Sequence, residues 1–147
     1  MDLELSDEQK MLKDTVRRFL DREVVPVIDE CERKHQFTRE LIKKLIPFGC
    51  VGALIPQKYG GQALDYISLG ILMEEAGRAW GSLRIMLNAP LNLIPYTIYV
   101  NGTEEQRRRF LPPVLAGDAT PFLAITEPNV GSDASAVEAT ARRSADG

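Results

Sequence analysis

The sequence predicts a mainly α fold, a helical bundle over residues 1–118 followed by the first strand of a β-domain that residues 119–147 only begin. Three observations carry this. Two capping boxes, Ser6 with Gln9 and Thr103 with Gln106, open helices at either end of the first segment, because the hydroxyl takes an orphan amide while the residue three further on reaches back to the cap. Between them apolar residues recur at helical spacing. Beyond Gly117-Asp118 the period changes, and Thr120-Pro121-Phe122-Leu123-Ala124-Ile125-Thr126 reads as a strand.

After Ser6, residues Leu12, Val16, Phe19 and Leu20 form one apolar stripe, and that helix should reach about Pro26 or a turn beyond. Phe37, Thr38 and Ile42 read as staple, N-cap and N4 of a second helix with Leu41, Leu45 and Ile46 inward, ended by Pro47 and Gly49. Past the Tyr59-Gly60-Gly61 turn, Leu64, Ile67, Leu69, Ile71, Leu72, Met73 and Ala76 predict a more fully buried helix ending near Gly77 or Gly81, with Glu74 and Glu75 on its wet side. A fourth helix, about Ser82 to Val100, is apolar nearly all round, which implies a central element, kinked or broken where Pro90 and Pro95 each remove a donor. Asn101-Gly102 stops it, and the last helix carries Arg107, Arg108 and Arg109 on a solvated face, with subunit or ligand-phosphate contact as the alternative. Ala139 to Arg143 reads as the start of a further strand, and Ser144 to Gly147 as a hairpin turn with no strand after it.

A chain of 147 residues with 44% hydrophobic content supports one core and excludes a disordered tail. With 18 basic and 21 acidic side chains, the formal charge of -3 supplies no cationic field for nucleic acid. The start lacks a basic region before an apolar one, and no run approaches a membrane span, so a cytoplasmic location is expected. Cys31 and Cys50 match neither a redox nor a finger spacing and read as reduced structural thiols. The lone His35 sits among charges as a solvated side chain, and no zinc or other metal site is expected.

The most informative run is Leu123-Ala124-Ile125-Thr126-Glu127-Pro128-Asn129-Val130-Gly131-Ser132-Asp133, an apolar strand entering a turn dense in small polar groups. Pro128 fixes its own φ and removes a donor, while Gly131 permits either an unusual backbone conformation or a close approach. Backbone amides freed by such a turn can meet a flat heterocycle or a polar tail; an ordinary surface turn has the same chemistry.

This run resembles the flavin-binding signature T-E-P-x-x-G-S-D of the acyl-CoA dehydrogenase family, with Thr126, Glu127, Pro128, Gly131, Ser132 and Asp133 at its fixed positions. Asn101 to Gln106 with Phe110-Leu111-Pro112 and Ala116-Gly117-Asp118 resembles the family's G-[ST]-E-E-Q segment and its continuation, and Ile55 to Gly61 its [IV]-P-x-x-Y-G-G turn. The resemblance implies an N-terminal helical domain, the opening of a middle β-domain, and FAD as cofactor. It implies that Leu123, Ala124, Ile125, Thr126, Gly131 and Ser132 line the cofactor, Thr126 hydrogen-bonding the flavin pyrimidine edge and Ser132 touching the CoA or thioester side as well. The implied reaction is α,β-dehydrogenation of an acyl-CoA thioester, with electron-transfer flavoprotein or a similar acceptor as partner and a homo-oligomer, a tetramer in the family, as the assembly. The family's glutamate base lies in a C-terminal domain that matches no position here, so no catalytic residue is assigned, Glu127 belongs to the flavin turn, and this chain alone is expected to be inactive.

Arg84, after Gly81-Ser82-Leu83, resembles the S-x-R segment of glutaryl-CoA dehydrogenases, whose arginine contacts the distal carboxylate of the substrate. A planar fork suits a carboxylate. Its structural alternatives are an ion pair to Glu74 or Glu75, or exposure at the helix start. A cyclic acyl-CoA from aromatic-acid degradation is a companion substrate reading. A non-catalytic helical flavin-binding or interaction module and a flavin monooxygenase on the same scaffold are the alternatives in function.

Overall fold

The computed structural model describes residues 4–37, 39–142 and 144. Among them are seven α-helices: α1 (Asp7–Glu23), α2 (Ile28–Lys34), α3 (Glu40–Leu45), α4 (Tyr66–Ala79), α5 (Gly81–Asn88), α6 (Ile94–Asn101) and α7 (Glu104–Leu115). The fold is mainly α, as the periodicity requires. Both capping boxes form. Ser6 Oγ accepts from the Gln9 amide at 3.2 Å while Gln9 Oε1 accepts from the Ser6 amide at 3.0 Å, and Thr103 and Gln106 repeat the exchange at 3.2 and 2.8 Å.

The stripe of α1 buries Val16, Phe19 and Leu20 in a core shared with Leu72 and Ala76 of α4, Leu83 and Leu87 of α5, and Leu111 and Val114 of α7. Each fully buried leucine contributes about 2 kcal/mol of transfer free energy, so this shared core rather than helix propensity holds the short helices. Pro26 does not lie in an extended first helix. It sits in a 3-10 turn, Val25–Val27, after which α2 begins, because a residue without an N–H fits only a first turn.

Thr38, the expected N-cap of the second helix, lies outside the described residues. Helix α3 buries Leu41, Ile42 and Leu45, and Phe37 stacks on Trp80 with ring centroids 5.2 Å apart. Pro47 lies in the 3-10 turn Ile46–Phe48, closed by Gly49 in the left-handed region at φ 79°. The Tyr59-Gly60-Gly61 turn is equally specific. Gly60 adopts φ 95°, and a Cβ on Gly61 would stand 2.0 Å from the Ile55 carbonyl oxygen, so the two glycines answer separate demands.

Helix α4 starts at Asp65, whose carboxylate accepts from the Ser68 amide at 2.7 Å. Its burial is one-sided. Tyr66 and Ile67 are exposed, whereas Ser68, Ile71, Leu72, Glu75 and Ala76 are buried. Glu75 therefore corrects the expected wet side: it is 0% exposed. Arg17 of α1 donates to both its oxygens, Nε to Oε2 at 2.9 Å and Nη2 to Oε1 at 2.7 Å, and Arg78 Nε donates to Oε2 at 2.8 Å. Arg78 Nη2 also reaches Asp21 at 2.7 Å, returning the network to α1. Glu74 alone is on the wet side, bound by Lys13 at 3.1 Å.

The expected fourth helix is three pieces: α5, a π-helical turn at Ala89–Leu93, and α6. Pro90 has no N–H to give, and the mismatch is taken up by Asn92. Its Nδ2 donates to the Leu87 and Cys50 carbonyls, both at 2.8 Å, and its Oδ1 accepts from the Ala53 amide at 2.8 Å. The region is not wholly enclosed, since Ile85, Leu93 and Val100 are exposed.

Residues 120–126 have no regular secondary structure and belong to no strand among the described residues; the β-pairing present is a single bridge between Glu127 and Val130. A strand requires a partner to take its ladder hydrogen bonds, and none is supplied here. Residues 139–142 likewise form no strand, while Arg143 and residues 145–147 of the expected hairpin lie outside the described residues. Cys31 and Cys50 are both buried and neither is in a disulfide, and burial pushes the Cys50 thiol up to about 12. His35 is exposed at φ 50°, capping α2.

Hydrogen bonding from Arg17, then from Arg78, holds the Glu75 carboxyl below its ordinary 4.5 despite desolvation. Its contribution is therefore complete above about 4.5 and is lost as pH falls through the depressed folded value. Replacing Glu75 with alanine strands Arg17 and Arg78 at a partly wet site, with an expected loss of about 2 kcal/mol, less than for a fully buried pair. Urea melts at neutral pH should register that loss, and between pH 5 and 3 the Glu75→Gln stability curve should fall less than that of the parent.

Candidate functional site

The motif turn is built locally. Glu127 and Val130 exchange backbone hydrogen bonds at 2.9 and 3.2 Å across Pro128 and Asn129, placing proline at the position where its fixed φ favours a turn. The Glu127 carboxylate then accepts from two amides further on, Oε2 from Glu138 at 2.9 Å and Oε1 from Ala139 at 2.9 Å. Asp133 caps the 3-10 turn Ala134–Ala136 by accepting from the Ser135 amide at 3.1 Å. Two acidic side chains of the signature are thus used to shape the loop. Val130 is its buried anchor.

Leu123, Ala124, Ile125, Thr126, Gly131 and Ser132 are all exposed. Among the described residues the backbone of 123–126 makes no hydrogen bond, and neither the Thr126 nor the Ser132 hydroxyl has a partner. A Cβ on Gly131 would meet nothing within 4 Å, and its φ is not in the left-handed region. Local geometry therefore does not require glycine there. The run presents unpaired donors and acceptors beside apolar side chains, a pattern suited to the edge and face of a flat polar heterocycle.

Upstream, Pro121 and Phe122 close an open groove of about 480 Å³ against Ile94, Thr97 and Ile98 of α6 and Gln106 and Phe110 of α7. Phe122 is 82% exposed. This groove was not anticipated from the motifs, and the exposed aromatic residues Phe110 and Phe122 that line it are the signal that points to it.

The chain matches the family described as "Acyl-CoA dehydrogenase, N-terminal domain" over residues 6–118. The chain belongs to this family. It is 35% identical over 141 residues to the 3-(aryl)acrylate reductase of Clostridium sporogenes, covering 96% of this chain and 37% of that one. Among solved structures, an acyl-CoA dehydrogenase complexed with FAD from Bacillus anthracis matches at TM-score 0.85 and 35% identity, covering 97% of this chain and 24% of that chain. A glutaryl-coenzyme A dehydrogenase in complex with glutaryl-CoA matches at TM-score 0.86 and 33% identity, covering 93% and 35%. The chain spans a little over a third of the length of the curated relatives it matches.

Within this family frame, Arg84 lies apart from the signature. It is exposed on α5, its stem lies over Gly77 of α4, where a Cβ would be 3.0 Å from Arg84 Cδ, and no hydrogen bond joins it to residues 123–132 among the described residues. The ion pair to Glu74 or Glu75 does not form, since Lys13 takes the first and Arg17 with Arg78 the second. Arg84 is a hydrated guanidinium without a carboxylate partner among the described residues. The Arg107–Arg109 run is solvated only in part. Arg107 donates to the Tyr99 carbonyl at 2.7 Å, while Arg108 pairs with Glu104 and remains exposed. Among the described residues no cluster of His, Cys, Asp and Glu fits a metal, and no helix is long and apolar enough to cross a membrane.

If the Glu127 carboxylate closes the loop, Glu127→Ala should accelerate amide exchange at Glu138 and Ala139 while leaving exchange in α1 and α4 unchanged. Unaltered exchange at both amides would show that the carboxylate does not hold them.

Proposed function

We propose that this domain serves an FAD-dependent acyl-CoA dehydrogenase, an oxidoreductase acting on the CH–CH bond α,β to a thioester. The observation that supports the reading is the exposed run of residues 123–126, without hydrogen bonds among the described residues, leading into a turn whose Gly131 leaves open space. The residues fit the cofactor: Thr126 and the neighbouring backbone would take the flavin pyrimidine edge, Leu123 and Ile125 would face its ring system, and Ser132 would contact the CoA or thioester side. When bound, FAD supplies a hydride acceptor. A hydroxyl donor at the pyrimidine edge would favour negative charge there.

Glu127 is not the base. Both its oxygens accept backbone amides, so it orients the loop, and proton abstraction falls to a group outside this chain. The division into a helical domain over residues 1–118 and a β-domain opening over 119–147 belongs to the same proposal, as do cytoplasmic residence, a homo-oligomeric assembly and electron-transfer flavoprotein as acceptor. A solved structure named for the electron transferring flavoprotein of Acidaminococcus fermentans matches at TM-score 0.84 and 35% identity, covering 92% of this chain and 36% of that one, which supports the last of these.

For substrate, the unpaired guanidinium of Arg84 favours an acyl-CoA with a distal carboxylate, of the glutaryl-CoA type, over a simple fatty acyl chain. The likeness to a 3-(aryl)acrylate reductase supports a second reading on the same site, in which the flavin reduces an α,β-unsaturated acyl group.

Flavin fluorescence should be quenched saturably when FAD is titrated with a form of the protein carrying the remaining family domains, and Thr126→Ala should weaken the affinity by about tenfold, the worth of one hydrogen bond near a charge. Arg84→Met in that form should lower kcat/KM for glutaryl-CoA by about 10²-fold, the range of a lost charge-assisted pair, while butyryl-CoA changes little. Equal losses on the two substrates would remove the carboxylate role.

A further inference from the structure

All four tyrosines of the chain, Tyr59, Tyr66, Tyr96 and Tyr99, lie in one unbroken series. The Tyr66 and Tyr96 hydroxyls share a hydrogen bond of 2.8 Å. Tyr96 and Tyr99 ring centroids are 6.0 Å apart, and Tyr99 and Tyr59 centroids 5.9 Å. The series joins the first turn of α4, the body of α6 and the turn before Gly60-Gly61, three parts of the chain that are distant in sequence.

Its two ends differ. Tyr59 is 5% exposed and Tyr66 67%. At the buried end, the Tyr59 hydroxyl donates to Glu104 Oε2 at 2.6 Å. That bond, with help from Arg108 and Lys58, keeps the Glu104 carboxyl below its ordinary range, so an anion stands ready to take the phenol proton. The Lys58 ammonium sits 4.7 Å from the Tyr59 ring centroid and the Arg107 guanidinium 5.7 Å from that of Tyr99. A cation above a ring makes an electron harder to remove from it. Among the described residues no cation stands over Tyr96 or Tyr66. The two cations thus oppose electron loss at the inner rings and bias a hole toward the outer pair, while the Glu104 carboxylate eases the first oxidation of Tyr59 by taking its proton. A pocket of about 280 Å³ lined by Lys58, Tyr59, Tyr99, Val100 and Arg107 opens onto the two inner rings, and its two cations favour a small anionic oxidant such as a carbonate radical.

We propose that the four tyrosines form a one-electron relay, carrying an oxidising equivalent from Tyr59 to the exposed hydroxyl of Tyr66, where a dissolved thiol discharges it. The oxidant takes one electron from Tyr59 and the phenol proton crosses to Glu104, leaving a neutral phenoxyl radical. Tyr99 supplies the replacing electron, Glu104 returns the proton to Tyr59, and Tyr99 loses its own proton to water. Tyr96 then reduces Tyr99, which regains a proton from water as Tyr96 loses one. A hydrogen atom next crosses the hydroxyl pair from Tyr66 to Tyr96. Finally a thiol gives a hydrogen atom to Tyr66. The oxidant gains one electron, the thiol becomes a thiyl radical, and one proton is left in water.

A ruthenium polypyridyl photo-oxidant tethered at Arg108→Cys places the hole beside Glu104 and Tyr59, since Arg108 Nε lies 2.8 Å from Glu104, and both native cysteines are buried from the label. After illumination with a nitroso spin trap, adducts are mapped by peptide mass spectrometry. The relay places the adduct on Tyr66. Adding Tyr99→Phe, which removes a hydroxyl without a hydrogen-bond partner among the described residues, should drop the Tyr66 adduct to the level of an unlabelled control and move it to Tyr59. Tyr96→Phe should strand it on Tyr59 and Tyr99. A Tyr66 adduct undiminished by Tyr99→Phe, or an adduct that never leaves Tyr59 in the parent, overturns the proposal. Aromatic circular dichroism of each variant establishes that the rings remain packed.

Discussion

The Glu75 carboxylate is the constraint on which the arrangement of helices depends. It is buried where α1 crosses α4, and burying an anion is costly unless every lone-pair direction is used. Arg17 supplies two donors from α1 and Arg78 a third from the same helix as Glu75, then reaches back to Asp21. Hydrophobic stripes alone permit α1 to slide or rotate on α4 by a turn at modest cost, since leucine replaces leucine. A bidentate guanidinium does not permit it: a one-turn slip of 5.4 Å would remove Arg17 from both oxygens. The pair therefore sets register more than it adds stability.

That register has consequences at the far end of α4. With α4 fixed, Trp80 enters the core and donates to Glu32, Phe37 stacks on it, and α5 leaves immediately at Gly81. Asn92 does the corresponding work one element later. By serving Leu87, Cys50 and Ala53 at once, it lets the chain widen into a π-turn at Pro90 without leaving a buried carbonyl unpaired, as helix interruptions require. The turn sets the direction of α6, which carries Tyr96 and Tyr99 against the core and, at Ile94, Thr97 and Ile98, one wall of the groove closed by Phe122.

Much of this was legible in the residues. The capping boxes at Ser6 and Thr103, the stops at Gly49 and Gly102, the break at Pro90 and the location of the signature turn follow from local rules that depend on neighbouring residues alone. Glu75 was misassigned because periodicity scores a carboxylate as polar wherever it stands, and the guanidinium that makes its burial tolerable is 58 residues away. Asn92 and Asp65 were passed over for the same reason: their value lies in which backbone groups they satisfy. At the candidate site the acidic residues of the signature could be placed but not assigned. That Glu127 holds amides 11 and 12 residues on is a tertiary fact.

The misread strand at residues 120–126 is instructive about the site itself. Its composition is that of a strand, apolar and rich in β-branched and aromatic residues, yet it lies exposed with its backbone unpaired among the described residues. Free amides and carbonyls beside Leu123 and Ile125 are energetically acceptable only while water reaches them; once covered, each must find a partner. Any surface that docks here must therefore bring both apolar area and a row of hydrogen-bonding groups. A neighbouring strand provides such a row on one edge, and a flat heterocycle with alternating donors and acceptors provides it on the other. A strand-like sequence therefore stands here without a strand, because among the described residues no element supplies the ladder partners that its backbone would require.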